Sequence, residues 1–311
     1  MGSNPIPSAV SCALGRPWLK DMHGFHLSTI GCQMNVADSE RLGTALERLG
    51  LHPVSQANEA DVIVVNSCVV RQSAEDKVVG IITAMQPLKR QEPRRVVALM
   101  GCLVGPKTEE LRRRFPHVDV FMRPQQYGPL LELVGERLGL DWEGCIASLA
   151  PDRPSVGCYV PIIHGCDLMC TFCIIPYRRG RQASRPLDEI VGEVKLLAAR
   201  GVKEVTLLGQ TVDAYGSDLP EKPDLADLLE QLEPVSGLER VRFLTSHPSF
   251  MGDRIIEAVA RLPKVCEHIN LPVQAGDDEV LLRMRRRYTR GDYTDLVRRV
   301  RDAVPNVALS T

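Results

Sequence analysis

The stretch GCDLMCTFC, from Gly165 to Cys173, sets Cys166, Cys170 and Cys173 four and then three residues apart. Three thiolates are one ligand short of a structural zinc site, and no His or fourth Cys lies at the usual distance. A cubane of four irons accepts the same three thiolates and leaves one iron open. An open iron can chelate the amino and carboxylate groups of S-adenosylmethionine, so that one electron reaches the sulfonium and a 5′-deoxyadenosyl radical is released. That chemistry belongs to the cofactor, and the protein's part is placement, electronics and exclusion of water.

A second set of thiols is spread along the first half of the chain. Cys32, Cys68 and Cys102 each follow a strand candidate directly, at separations of 36 and 34 residues, about one βα unit each. On parallel strands they fall along one edge, the C-terminal edge where open α/β sheets place ligands. Ordinary buried cysteines are common but are not ordered at one βα period. Asn35 and Asn66, each close to one of these thiols, suit two roles: donors to cluster sulfurs, or turn residues at a strand end. Cys12, Cys145, Cys158 and Cys266 show no ligand spacing and read as small buried or loop residues.

The elements that must position these residues show in the hydrophobic period. Apolar runs rich in β-branched residues alternate with helix-period stretches, the pattern of parallel strands linked by helices. Strands are expected at 25–31, 61–67, 95–101 and 118–122, with helices near 36–49, 72–88, 107–114 and 126–138. Gly50 and Gly139 close the first and last of these helices as left-handed caps. The segment 140–156, with its prolines and small residues, reads as a linker. Beyond it strands are expected at 158–165, 204–210, 240–246, 268–274 and 306–311, with helices near 186–200, 224–232, 252–261 and 291–303. Repeated βα units either wind into an open sheet or curl into a partial or full barrel. The expected organisation is α/β throughout: a mobile leader at 1–22, a parallel α/β domain at 23–139, the linker, and a second βα domain at 157–311 that stops inside a strand, as though C-terminal sequence were missing.

The 311 residues hold 44% hydrophobic and 25% charged side chains with a formal net charge of -1. That suits two compact domains, and with no global field toward nucleic acid or an anionic membrane, any basic surface must be local. No apolar run approaches the roughly 18 residues of a spanning helix, and the leader lacks the basic start and apolar core of a signal peptide. Ten cysteines in a large, Arg-rich chain of this kind point to metal binding or chemistry in the cytosol rather than to disulfides. Arg178, Arg179, Arg181 and Arg185, with Tyr177 beside them, crowd the segment after the three-cysteine loop. Arg with an interleaved aromatic suits phosphate contact and base stacking, so this group is read as RNA-facing. Arg283, Arg285, Arg286 and Arg287, ahead of Tyr288, read equally as a solvated face or as RNA contacts.

The segments GCQMNVADSE (31–40), NSCVVRQSAEDKV (66–78), GCLVG (101–105) and GCDLMCTFCIIPYRRGRQASRP (165–186) resemble, in order and spacing, the methylthiotransferase family of radical S-adenosylmethionine enzymes. GQTVDAYG (209–216), FLTSHP (243–248), LPVQAG (271–276) and MRRRYTRGDY (284–293) continue the likeness, which covers nearly everything from Gly24 onward. GCQMN at the first cysteine and VVR after Cys68 favour the branch that acts on N6-isopentenyladenosine in tRNA. NSC, QAG and MRRRYTR depart from that branch's NTC, its QSG and a motif with Asn and Gly.

The resemblance implies an N-terminal methylthiotransferase domain followed by a radical S-adenosylmethionine partial (β/α) barrel, truncated before the barrel's last part and before a small RNA-binding β-domain known as TRAM. It implies two 4Fe–4S clusters, one on Cys166, Cys170 and Cys173 and an auxiliary one on Cys32, Cys68 and Cys102. It also implies S-adenosylmethionine held by Phe172 of the three-cysteine motif and, at the ends of later strands, by Gln210, Ser246, His247 and Gln274. The implied reaction is methylthiolation of C2 of N6-isopentenyladenosine at position 37 of tRNA, in the anticodon loop. The implied enzyme is a cytoplasmic monomer, away from membranes, with an electron donor such as flavodoxin or ferredoxin. The rivals are methylthiolation of N6-threonylcarbamoyladenosine or of an aspartate in a ribosomal protein and, outside catalysis, an iron–sulfur electron carrier or RNA-binding module.

Overall fold

The computed structural model describes residues 24–69, 72–139, 142 and 150–311; the expected leader with Cys12, and most of the expected linker with Cys145, lie outside them. The chain divides into two compact units, Met1–Pro151 and Asp152–Thr311.

The first unit runs β1 (Gly24–Thr29), α1 (Gln33–Arg48), β2 (His52–Pro53), β3 (Val62–Ser67), α2 (Gln72–Gln91), β4 (Val96–Gly101), α3 (Glu109–Arg114), β5 (Val120–Met122) and α4 (Gly128–Leu138). The strands form one parallel sheet in the order β2-β1-β3-β4-β5. Every residue of β3 and β4 is buried, because helices cover both faces, and so these strands read as continuous apolar runs in the sequence. The two-residue period still sorts the side chains. Val96, Ala98 and Met100 join one core with Leu42 and Leu46 of α1 and Leu130, Leu131 and Val134 of α4. Val97 and Leu99 join the other with Val78 and Ile82 of α2. Each Val, Leu, Ile or Met among them contributes roughly 1.5–3 kcal/mol when fully buried, so the strand ends are held from both sides.

Three details differ from the sequence expectation. Helix α1 starts at Gln33 rather than 36, because Cys32 itself takes the extended N-cap conformation. Helix α2 passes through Pro87 to Gln91, and beyond that proline Lys89 Nζ pairs with Asp119 at 2.8 Å. The two-residue β2 carries no readable period. Gly139 does close α4 in the left-handed region, with φ 65°.

The second unit runs β6 (Gly157–Pro161), β7 (Ile163–His164), α5 (Ile175–Arg178), β8 (Ala183–Ser184), α6 (Leu187–Ala199), β9 (Glu204–Leu208), α7 (Leu225–Leu232), β10 (Arg240–Phe243), α8 (Asp253–Arg261), β11 (His268–Asn270), α9 (Asp278–Arg283), α10 (Arg290–Ala303) and β12 (Ala308–Ser310). Strands β6, β9 and β10 are parallel neighbours, as are β11 and β12, and a parallel bridge from Val241 to Val265 continues the series. The expected strand at 158–165 is broken in two. Past Pro161 the chain leaves the parallel sheet, and Ile163 and His164 pair antiparallel with Ser184 and Ala183. Helices α7 and α10 each open with a capping box, Asp224 with Asp227 and Thr289 with Asp292. Arg254 of α8 reaches both Asp224 and Asp227 at 2.6 Å, which fixes α8 against the start of α7.

Candidate functional site

In the first unit, Cys32 follows β1, Cys68 follows β3 and Cys102 follows β4, and these three strands are consecutive in the sheet. The thiols therefore share the C-terminal edge of a parallel sheet. Cys32 is exposed while Cys68 and Cys102 are buried. Beneath them lies a layer of buried polar side chains. Asn35 Oδ1 accepts from Cys32 N at 3.2 Å, and Asn35 Nδ2 donates to Asn66 Oδ1 and Ser67 O, each at 3.0 Å. Ser67 O accepts from Cys102 N at 2.9 Å.

In the second unit, Cys166, Cys170 and Cys173 sit on the loop between β7 and α5, all half-buried. Gly165 enters this loop at φ 69°, where a Cβ would stand 1.9 Å from Arg181 O, so only glycine fits. The loop is tied at both ends. Cys166 N donates to Gly180 O at 3.2 Å, while Thr171 N and Oγ1 donate to Met284 O and Arg283 O at 3.3 and 3.1 Å. Cys166 Sγ lies 3.6 Å from Thr211 Oγ1, which brings the thiol loop against the segment that follows β9. Burial pushes the Cys170 thiol up, and neighbouring Cys166 and Cys173 add to it against the pull of Arg286.

Adjacent strand ends supply polar atoms with no partner inside the protein. Gln210 Oε1, Asp213 Oδ1, Ser246 Oγ and His247 Nε2 are all buried and make no hydrogen bond. Buried polar atoms are rarely left this way without a ligand or water to complete them. Asp213 Oδ2 accepts from His247 N at 2.7 Å, which joins the segments after β9 and β10. Burial raises the Asp213 carboxyl to about 8, against the N–H groups of His247 and of Asp213 itself. Burial, with the charges of Arg286 and Arg287, lowers His247 to about 4. A cavity of about 140 Å³ opens between Cys166, Thr211, Phe250 and Arg287.

The residues singled out in the sequence do not all present alike. Gln210, Ser246 and His247 bring unpartnered atoms to neighbouring strand ends, whereas Gln274 is exposed, at φ 69°. Phe172 is 54% exposed, with the Arg286 guanidinium 5.4 Å over its ring. Among the arginines, Arg181 is 83% exposed beside Asp167, while Arg179 is buried and Arg178 half-buried. Arg185 is an internal tie, donating to Pro161 O and pairing with Glu193 at 2.7 Å. Arg286 and Arg287 meet the thiol loop and its cavity, and Arg283 pairs with Glu279 on α9. Thr211 and Asp213 escaped notice in the sequence. Their signal was present in GQTVDAYG, where polar residues flank Val212 just beyond a strand.

The chemistry of these donors fits an iron–sulfur cubane at each thiol set, with three sulfurs apiece, and a polar ligand beside the second. Among the described residues no three His, Cys, Asp or Glu side chains gather about a single metal ion. Cys158 is buried and contacts Ser155 O at 3.7 Å, an ordinary structural role.

Comparison with known proteins bears on these donors. Residues 24–123 match the uncharacterized protein family UPF0004, and residues 160–311 match the radical SAM superfamily. A Herpetosiphon aurantiacus protein named tRNA-2-methylthio-N(6)-dimethylallyladenosine synthase is 50% identical over 91% of this chain and 65% of its own length. Proteins of the same name from Roseiflexus sp. and Dehalococcoides mccartyi are 50% and 47% identical, over 92% and 93% of this chain and 60% and 67% of their own lengths. The chain thus spans about two thirds or less of the relatives it matches. Among solved structures, the radical S-adenosylmethionine methyltransferase TsrM from Kitasatospora setae superposes with a TM-score of 0.64 at 16% identity, over 93% of this chain and 67% of that one. The cobalamin-dependent S-adenosylmethionine radical enzyme OxsB does so with a TM-score of 0.63 at 11% identity, over 93% and 49%. At such identities the likeness shows the fold alone, two α/β domains in succession, and the family model is what marks the second as a radical S-adenosylmethionine domain. With identities near one half to three such relatives, the chain belongs to the radical S-adenosylmethionine family of the tRNA-2-methylthio-N(6)-dimethylallyladenosine synthases.

Proposed function

We propose that the protein is a tRNA methylthiotransferase that converts N6-isopentenyladenosine at position 37 of the anticodon loop to its 2-methylthio derivative. The observation that carries this reading is the pair of three-thiol sets, one in each unit, in a chain 50% identical to a relative named for that reaction. Cys166, Cys170 and Cys173 would hold a 4Fe–4S cluster, which would supply the electron for cleavage of S-adenosylmethionine, and Cys32, Cys68 and Cys102 would hold a second, which would supply the sulfur for transfer. An aromatic C–H offers no acidic proton at neutral pH, so the side chains are not asked for acid–base catalysis. They bind, orient and exclude water.

In this reading Gln210, Ser246, His247 and Asp213 turn their unpartnered atoms to the polar groups of S-adenosylmethionine, with Gln274 on the exposed side. Phe172 offers a ring face to its adenine. Arg181 and Tyr177, both exposed, meet RNA phosphate and base. A flavodoxin or ferredoxin is the electron donor, and the enzyme is read as a cytoplasmic monomer; no helix among the described residues is long and apolar enough to cross a membrane.

The test is reconstitution without oxygen of the parent and of two variants, one with Cys166, Cys170 and Cys173 replaced by Ala, the other with Cys32, Cys68 and Cys102 replaced. Two clusters are expected in the parent and one in each variant, with 5′-deoxyadenosine formation lost only in the first variant. No 5′-deoxyadenosine from the reconstituted parent would return the protein to the electron-carrier class. Mass spectrometry of tRNA nucleosides from cells lacking and regaining the protein identifies the substrate. A change confined to threonylcarbamoyladenosine moves the assignment to that branch.

A further inference from the structure

The polar layer beneath Cys32, Cys68 and Cys102 closes on itself. Asn66 Nδ2 donates to Asn35 O at 2.8 Å and to Ser39 Oγ at 3.0 Å, and Asn35 Nδ2 donates to Asn66 Oδ1 and Ser67 O. Because Asn35 O and Ser67 O can only accept, the orientation of both amides is fixed. All four amide hydrogens are thereby engaged, and none is left to donate to a cluster sulfur, one of the two roles open in the sequence. The pair reaches the first cysteine loop through Asn35 Oδ1, and the residue before Cys68 through Ser67 O, the same carbonyl that anchors Cys102 N. Asn35 Oδ1 takes Cys32 N at 3.2 Å and Cys32 Sγ at 3.4 Å. Asn66 belongs to the strand that leads to Cys68, and its own carbonyl accepts from Ile30 N at 2.9 Å. Ser67 O accepts from Cys102 N, while Ser67 Oγ donates to Met100 O at 2.7 Å and accepts from Leu103 N at 3.3 Å.

Two glycines make room for this layer. A Cβ on Gly31 would stand 2.3 Å from Asn35 Oδ1, and one on Gly101 would stand 2.3 Å from Ser67 O and 2.6 Å from Asn66 Oδ1. Each glycine immediately precedes a cysteine of the set. Asn35 is 0% exposed and Asn66 1%, where amides are costly unless every bond is made. The strands beside them are already packed by apolar cores on both faces. What an amide pair adds, and leucines would not, is a directional tie to particular N–H and C=O groups.

We propose that Asn35 and Asn66 are positioning residues for the auxiliary cluster, a reciprocal amide pair that holds the three cysteine loops in ligating register in the metal-free chain. The proposal rests on the reading of Cys32, Cys68 and Cys102 as cluster ligands.

The test uses the full chain with Cys166, Cys170 and Cys173 replaced by Ala, so that bound iron reports on the auxiliary site alone. Reconstituted without oxygen, this parent takes up about four irons. Asn66→Asp keeps the side-chain shape and loses both donated bonds; Asn35→Asp keeps the acceptor for Cys32 N and loses its own two. Each is expected to bind iron about 10–100-fold more weakly, at temperatures where its melting curve shows the metal-free chain folded, with altered g-values of the reduced cluster. Ser39→Ala strips one acceptor from Asn66 Nδ2 and leaves the apolar cores intact, so it decides the matter if the Asp variants do not fold. Its iron uptake is expected to be about 2–10-fold weaker. Folded variants with the parent's iron affinity and g-values overturn the proposal, even if they melt earlier. A parent that takes up no iron overturns the cluster reading itself, before any Asn variant is compared.

Discussion

Asp213 Oδ2 accepts the backbone N–H of His247 at 2.7 Å, and this one bond couples the polar segments that follow two neighbouring strands of the second unit. Both residues are 5% exposed, so neither shares the bond with bulk water. The carboxyl and the imidazole respond to the same burial in opposite directions, because burial disfavours whichever form carries charge.

The carboxyl gives the first prediction. Asp213 moves from 3.8 in the unfolded chain to about 8 in the folded one, through burial. The folded state therefore holds a proton that the unfolded state has released. The group's contribution to stability is highest below the unfolded value, falls as pH rises, and is fully lost above the folded value. Asp213→Asn keeps an acceptor for His247 N and removes the titration. Denaturant melts at about pH 5 and about pH 8.5 should diverge by a few kcal/mol less in the variant than in the parent. Equal pH dependence in the two proteins would show that the carboxyl is ionised in the folded state.

The imidazole gives the second. Ser249 N donates to His247 Nδ1 at 3.2 Å, so the neutral ring carries its proton on Nε2, the buried atom without a partner. With the ring lowered to about 4, this donor persists through neutral pH, and any stability it contributes is lost only as pH falls from its ordinary value of 6.5 toward 4. Affinity for S-adenosylmethionine should stay flat from about pH 6 to about pH 7 in the reconstituted protein, below the range in which Asp213 ionises, and His247→Phe should weaken it about tenfold. A midpoint near the ordinary histidine value in the binding profile would contradict the assignment.

Asp213, unlike His247, also marks a limit of what the sequence discloses. The strand-end cysteines were legible because parallel strands bring positions one βα period apart onto one edge, and Cys32, Cys68 and Cys102 keep that period. Consecutive placement of β1, β3 and β4 did not follow from the period, since the βα pattern leaves strand order open. Asn35 and Asn66 stand 31 positions apart, and no local pattern reveals that each amide completes the other. Arg185 illustrates the opposite error. A cluster of arginines looks uniform in one dimension, yet Glu193, one helical stretch later, draws this one inward.

The arginines give a third prediction, since they divide by what they touch. Arg185→Ala removes a guanidinium held by Pro161 O and Glu193 with 21% of its side chain exposed, and should cost about 1–3 kcal/mol of stability. Arg181→Ala removes one that is 83% exposed, and should leave the melt within about 0.5 kcal/mol while reducing the salt slope of tRNA binding by about one. Thermal melts of both variants, with tRNA titrations at two salt concentrations, check the pair. Loss of RNA affinity from the Arg185 variant at unchanged stability would reverse the roles.

Gly165 gives the last. It enters the thiol loop at φ 69°, and a Cβ there would stand 1.9 Å from Arg181 O and 2.7 Å from Gly180 O. Both neighbours are backbone, so neither can turn away as a flexible side chain would. Gly180 O is also the acceptor for Cys166 N, which means that any retreat of this strap pulls on the first thiol of the set. Gly165→Ala should therefore cost on the order of 2–4 kcal/mol in the second unit and disturb cluster loading there. Gly192 on α6 supplies the control, because a Cβ there meets nothing within 4 Å. Gly192→Ala should stabilise by about 0.5–1 kcal/mol through helix propensity. Iron content and urea melts of the two variants discriminate the outcomes. Normal iron at Cys166, Cys170 and Cys173 in a folded Gly165→Ala protein would mean that the loop can be rebuilt without disturbing its thiols.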